Sequence, residues 1–475
     1  MEKSSVLRKL EAIVGPEYVS SKEAVLETYS AAYLAGKGVL VSMPDFVVIA
    51  SSVEDIQEIV SLANRYRIPV IPIGSSTSMY SETSPTEGGI MLNMGRMKNI
   101  EVDKNDRTVT VEPGVSWGQA YRELTPLGYQ LHYPALSGTI SVLGTTTQRG
   151  APAPIRIGYY CEETIGLEVV IPTGEIIRTG SGALPGAKQY ARYVLGPDLT
   201  GLFLGAQGTL GIVTKQTFPL YRIPEAREAV DGIFKEFEDT IRPAHRLMDD
   251  NFFPERVTVT QTAEDEWTMY VQLRGNKERV DFDKEMAMKT LREAGARRVK
   301  EVEVEPPLYP IGTALFHSLP EDVDPEKFSY PQPYGMPGKG MPTPPGGGLI
   351  GIYLWIEYSR SGDLIKAVEK VFAKHGVEPD MRGVSLEGRW GIYGQVGVCT
   401  YYDASDHAAS KRGWDVTMES VEAAIEMGAV IYRLDPLSAR IVVPKLKLGG
   451  YYELLKRLKQ LIDPNRIMNP GPMGL

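Results

Sequence analysis

Val70-Ile71-Pro72-Ile73-Gly74-Ser75-Ser76-Thr77-Ser78-Met79-Tyr80 reads as a short strand that runs directly into a turn rich in Gly, Ser and Thr. Backbone N–H groups in such a turn can be set against a phosphate, and hydroxyls add donors. The same composition returns at Gly144-Thr145-Thr146-Thr147 and at Gly205-Ala206-Gln207-Gly208-Thr209-Leu210-Gly211. Taken singly, each is an ordinary loop more often than a binding site. Their weight lies in their combination and order.

Around these turns the N-terminal half alternates strands and helices. Ser20-x-x-Glu23 has the form of a capping box opening a helix through Leu26, and Phe46 to Ala50 reads as a strand. Ser52 with Asp55 starts a helix whose Ile56, Ile59, Val60 and Ala63 share one face. Strands follow at Ile90 to Asn93 and Thr108 to Val111, and Ser116-x-x-Gln119 is a second capping signal. Leu167 to Ile171, Pro172-Thr173-Gly174 and Glu175 to Thr179 read as a hairpin, with a further strand at Leu210 to Lys215.

The middle of the chain is α+β in texture. Helical patterns near 226–243 and 277–294 alternate with strands at 268–273, 299–304 and 349–358, then helix 363–375 and strand 396–402. The 43 residues from Pro306 to Gly348 hold eleven Pro and seven Gly, which predicts an irregular segment. Helices at 408–427 and 451–462 follow, and Asp463-Pro464 stops the last one. The organisation expected is residues 1–225, 226–425 and 426–475.

Composition removes several function classes. With 51 Lys+Arg against 60 Asp+Glu and no basic block, the chain has no electrostatic footprint for nucleic acid. Its two cysteines, Cys161 and Cys399, form no C-x-x-C pair. No apolar run approaches the ~18 residues of a membrane span, and the N-terminus is too polar for a secretory signal, so a cytoplasmic protein is expected. The five histidines are scattered and nominate no metal site. Gly346-x-Gly348-x-x-Gly351 matches a dinucleotide fingerprint by letters only. It follows a Pro-rich stretch and leads into a strand, whereas the mechanism needs strand, tight turn and helix N-terminus in that order.

The ordered set Pro44 to Ala50, Pro72-Ile73-Gly74, Val109 to Val115, Gly166 to Val170, Leu202 to Gly205, Gly208 to Thr214 and Asp463 to Gly471 resembles the vanillyl-alcohol oxidase/p-cresol methylhydroxylase (PCMH-type) superfamily of FAD-linked oxidoreductases. The resemblance implies an α+β fold: a two-lobed FAD-binding domain, an α+β substrate cap, and a C-terminal return to the flavin domain. It implies FAD held by Pro72, Gly74, Ser75, Ser76, Thr77, Ser78, Met79, Gly144, Thr145, Thr147, Gly208, Gly211, Ile212 and Asn469.

Gly182 to Lys188, Gly196 to Phe203 and Gly428 to Arg433 resemble the 4-alkylphenol-oxidising branch more closely. By that likeness Tyr80, Tyr432 and Arg433 bind a phenolic oxygen, two hydroxyls and a guanidinium donating to phenolate. The implied reaction is benzylic hydride transfer to flavin N5 through a quinone methide, with the protein supplying orientation and electrostatics. Oxygen or an electron-transfer protein would be the acceptor, and a homodimer is the expected assembly.

Two departures stand out. Gln148 occupies a position where the family often has an acid, and an amide cannot serve as that base, although it can hold water or substrate. Arg389 to Val396 lacks a histidine for covalent flavin, which favours non-covalent FAD and leaves Tyr393 as a tyrosyl alternative. A 2-hydroxy-acid dehydrogenase, using Arg382, Arg389 or Arg433 for the carboxylate, is the enzymatic alternative. A non-catalytic flavin-binding subunit is the other.

Overall fold

The computed structural model describes residues 3–30, 42–75, 81–132, 138, 140–148, 155, 158–248, 252, 254–302, 304, 348–388, 391–403, 406–431, 433–446 and 449–475. Three sheets organise it.

The first is formed by β1 (Val19–Ser20), β2 (Phe46–Ile49), β3 (Val70–Ile73) and β4 (Ile90–Asn93), in the order β1-β2-β4-β3. β2, β4 and β3 run parallel, with Phe46 and Val70 both opposite Ile90. Parallel strands need crossovers, and the helix Val53–Tyr66 supplies one. Its start is built as the sequence predicts: Ser52 Oγ accepts from Asp55 N while Asp55 reaches back to the Ser52 N–H. Ile56, Ile59, Val60 and Ala63 are fully buried against this sheet, together with Ile467 and Met468 from the far end of the chain.

The second sheet comprises β5 (Ile100–Asp103), β6 (Thr108–Val111), β8 (Gly166–Val170), β9 (Ile176–Arg178) and β10 (Ile212–Pro219), all antiparallel, in the order β5-β6-β10-β8-β9. A small ribbon pairs β7 (Tyr129–Gln130) with β11 (Tyr221–Arg222). The expected hairpin is present as β8–β9, turned at Gly174 with φ +87°.

The third sheet has eight strands: β12 (Ala226–Phe234), β13 (Arg256–Ala263), β14 (Glu266–Gly275), β15 (Arg298–Val302), β16 (Gly348–Glu357), β17 (Met381–Glu387), β18 (Tyr393–Tyr402) and β19 (Val430–Ile431). Their order is β15-β12-β14-β13-β17-β18-β16-β19. One face packs on the helices Lys277–Glu293, Ser361–Lys374 and His407–Glu426 around a single apolar core. The helix Pro436–Leu446, which the sequence reading left unassigned, follows β19.

The fold class agrees with the expectation, and two local readings are corrected. Residues 226–234 are a strand instead of the start of a helix. β12 pairs along its whole length with β14, from Ala226↔Gly275 to Phe234↔Trp267, and that pairing outweighs local helical spacing. Gly232 inside it also opposes a helix, and an added Cβ there would sit 3.0 Å from Leu291 of the covering helix. Ser20 lies in β1, and its Oγ accepts from Lys22 N ahead of the helix Glu23–Ser30. The segment Pro306 to Gly347 lies outside the described residues. Gly348 opens β16, so the Gly346 pattern leads into a strand as read.

Candidate active-site cleft

The Gly-rich turns meet around one cleft that opens to solvent. Pro72, Gly74 and Ser75 enter from the end of β3, Gly144, Thr145, Thr147 and Gln148 from the helix Val142–Thr147, and Gln207, Gly208 and Gly211 from the loop before β10. Glu82 and Thr83 line it as well, and Arg433 arrives from the C-terminal segment.

Close approach explains the glycines. A Cβ on Gly74 would lie 3.1 Å from the Ser141 side chain and 3.3 Å from Pro113 O. Gly208 has φ +74°, and a Cβ there would come within 2.6 Å of Pro72. Ser141 locks two of the turns together: its N–H donates to Ser75 Oγ at 3.1 Å, its hydroxyl donates to Pro113 O at 2.6 Å, and it accepts from Gly144 N at 2.9 Å. Thr147 O accepts from Gly205 N at 2.6 Å, which ties in the third. The threonine hydroxyls turn inward, Thr145 Oγ1 to Ser141 O and Thr147 Oγ1 to Leu143 O, both at 2.8 Å. This is the usual back-bonding of a helical threonine, so their protons serve the helix.

Arg433 is held by an ion pair with Glu82, Nη1 to Oε1 at 2.6 Å, with side chains 14% and 1% exposed. Glu82 is held in turn: its carbonyl accepts from Asn469 Nδ2 at 2.9 Å, and the same amide donates to Gln207 O at 2.7 Å. Asn469 therefore stands behind the cleft wall and fixes two of its loops. Ile212 is also behind it, buried in the core of the parallel sheet. Ser76, Thr77, Ser78, Met79, Tyr80 and Tyr432 lie outside the described residues. Tyr393 does not line the cleft. It stacks on Tyr159 at 5.9 Å, and burial pushes its phenol up to about 12 against a hydrogen bond from Tyr159.

The sequence reading passed over Glu82 and Gln207. Gln207 lay inside a quoted motif and is in the left-handed region at φ 53°, a conformation rare outside glycine. It is 7% exposed, and its Oε1 has no hydrogen-bond partner among the described residues. Glu82 carried no local signal, because its partner is 351 residues away.

Comparison with known proteins agrees with this arrangement. Residues 44–180 match the FAD binding domain family, and residues 356–473 match the C-terminal domain of FAD linked oxidases. The chain is 27% identical to glycolate oxidase subunit GlcD of Bacillus subtilis, covering 91% of this chain and 89% of that one. It is 24% identical to the 4-cresol dehydrogenase [hydroxylating] flavoprotein subunit of Pseudomonas putida, over 100% of this chain and 96% of the other. A substrate-bound p-cresol methylhydroxylase structure superposes with a TM-score of 0.83 at 22% identity, covering 99% and 96% of the two chains.

The cleft suits FAD on its own chemistry. Gly74, Gly144, Gly208 and Gly211 are among the residues that line it, and Gln207 Oε1 offers a buried acceptor for a hydroxyl or N–H of the cofactor.

Proposed function

We propose that this chain, which belongs to the PCMH-type FAD-linked oxidoreductase superfamily, oxidises a 4-substituted phenol at its benzylic carbon. That it is an FAD-dependent oxidoreductase follows from its family; the phenol is the reading offered here. The observation that carries it is Arg433, a cation fixed by a buried carboxylate on the wall of the cleft that also gathers the glycine turns and Gln148.

Bound FAD supplies a two-electron acceptor for hydride leaving the benzylic carbon. Arg433 stabilises the phenolic oxygen as phenolate, and Glu82 holds the guanidinium in one orientation so that little reorganisation accompanies binding. A phenolate that loses hydride becomes a neutral quinone methide. Water adding across it, with a proton returning to the phenolic oxygen, gives the alcohol; loss of hydride to the flavin and of the hydroxyl proton to water turns an alcohol into the carbonyl compound. Gln148 accepts or donates a hydrogen bond to substrate or water but takes no proton. Tyr80 and Tyr432 belong to this proposal through the sequence resemblance. Oxygen or an electron-transfer protein completes the turnover, in a cytoplasmic homodimer.

The glycolate oxidase subunit, similar along most of both chains, favours a second reading, in which Arg433 receives the carboxylate of a 2-hydroxy acid. Anaerobic reduction of the bound flavin by a panel of both compound classes separates them. The flavin should bleach with 4-alkylphenols or 4-hydroxybenzyl alcohols. Bleaching by 2-hydroxy acids alone would sink the phenol reading.

A further inference from the structure

The loop before β10 brings a glutamine to the cleft wall. Ala206 O accepts from Thr209 N at 2.9 Å, and the two residues between them, Gln207 and Gly208, both have positive φ, 53° and 74°. That combination is a tight turn of the mirror-image kind, whose first central place ordinarily goes to Asn, Asp or Gly. The turn is braced on several sides. Gly205 N donates to Thr147 O at 2.6 Å, Thr209 Oγ1 to Ala206 O at 2.7 Å, and Asn469 Nδ2 to Gln207 O at 2.7 Å. A long side chain held in the left-handed region is strained, and such strain gathers where a ligand is gripped.

Gln207 lines the cleft yet is only 7% exposed, and its Oε1 is buried without a hydrogen-bond partner among the described residues. The Asn469 amide beside it gives its N–H groups to two carbonyls, Gln207 O and Glu82 O. A buried amide oxygen with nothing to accept calls for a ligand that brings a donor. The same amide carries N–H donors next to that oxygen, so it pairs best with an edge that sets an N–H beside an acceptor. FAD has two such edges. One is the pyrimidine ring of the flavin, where N3–H lies between two carbonyls; the other is adenine, whose amino group neighbours a ring nitrogen. Position chooses between them. Asn469 joins Gln207 to Glu82, and Glu82 holds Arg433, so the amide belongs to the end of the cleft where Arg433 meets substrate. That is the reacting end of the flavin, an assignment resting on the role given to Arg433, which the phenol and hydroxy-acid readings share.

We propose that Gln207 recognises the pyrimidine edge of the flavin, with Oε1 accepting from N3–H and Nε2 donating to the adjoining carbonyl. The ring gains negative charge on reduction, and a donor on that carbonyl stabilises it, so the same contact raises the reduction potential of the flavin.

The test compares the holoenzyme carrying FAD isotopically labelled at its nitrogens with Gln207→Met, which keeps the length of the side chain and loses both hydrogen bonds. In the unaltered protein the N3 proton should exchange with water more slowly than in free FAD, and Gln207→Met should speed that exchange by about fivefold or more. Gln207→Glu keeps an acceptor and should retain most of the protection. The potential should fall in Gln207→Met by about 30 mV, a tenfold change in the two-electron equilibrium.

N3 exchange as fast as in free FAD, or exchange and potential both unchanged in Gln207→Met, overturns the contact. A change confined to the adenine amino signal overturns it too, because the amide then serves the other end of the cofactor. Should Gln207→Met hold no flavin, Gln207→Glu decides through the N3 chemical shift: a carboxylate in place of the amide must move that signal, and an unmoved one ends the proposal. These measurements need no substrate, so failure of the phenol reading leaves them standing.

Discussion

Glu82 is the residue on which the cleft's charge geometry turns. It is buried to 1%, it holds Arg433, and its own carbonyl is fixed by Asn469. Glu82→Gln keeps the shape and a hydrogen-bond acceptor but removes the charge. Without that anchor the guanidinium is less well oriented for substrate, and KM should rise by about tenfold, corresponding to ~1.4 kcal/mol, with a smaller change in kcat. Steady-state kinetics on the reducing substrate checks this. A KM unchanged within twofold would show that Arg433 needs no such support.

At the scale of elements, the C-terminal turn is the joint that closes the cleft. Asp463 is fully buried and accepts from Ile467 N at 3.0 Å and Met468 N at 2.8 Å, which shapes the turn after the helix Gly450–Ile462. Lys459 Nζ, on that helix, donates to Asp463, Thr209 O and Met468 O at 2.6, 2.6 and 2.7 Å. Burial lowers the lysine from its ordinary range, and the Asp463 charge opposes that. One ammonium therefore ties the terminal motif to the loop before β10. Lys459→Met leaves Asp463 buried with its charge uncompensated, so a loss of about 3–5 kcal/mol is expected in denaturant unfolding, with faster flavin release. Unchanged flavin retention would mean that the loop holds its shape without this joint.

A second element-scale test concerns the contact at β13. Ile155 N donates to Glu255 O at 2.9 Å, joining the flavin-binding region to the sheet. Burial raises the Glu255 carboxyl, but Arg274, Arg227, Arg256 and His132 together hold it below its usual 4.5. A depressed carboxyl contributes stability above its unfolded value and loses it as pH falls through the folded one. The stability gap between the protein and Glu255→Gln should therefore be full at pH 7 and shrink below about pH 4.5. Unfolding midpoints across that range measure it; a gap independent of pH would remove Glu255 from the contact's energetics.

For the whole molecule, the cofactor is the ligand of the folded state. At FAD about 1,000-fold above its dissociation constant, linkage adds ~4 kcal/mol, so removal of flavin should lower the unfolding midpoint. Tyr393 stacks on Tyr159 away from the cleft lining, which favours non-covalent attachment. Acid precipitation should leave all flavin in the supernatant, and yellow protein in the pellet would reverse that expectation.

Much of the fold was legible in the amino acids because its signals are local. Ser52 with Asp55 and Ser116 with Gln119 close caps across three residues, and Gly174 turns a hairpin whose strands are neighbours. Such contacts form wherever the residue types fall at that spacing. The ordered glycine turns and the Asp463 to Gly471 motif carried the flavin assignment through the family they resemble. Tertiary structure alone decided the rest. Residues 226–234 became a strand because β14 pairs along their length. Glu82 met Arg433 and Asn469 gripped Gln207 only once distant segments had packed. Burial sets the strength of those charges and hydrogen bonds, and burial is a property of the assembled core that no single stretch of chain encodes.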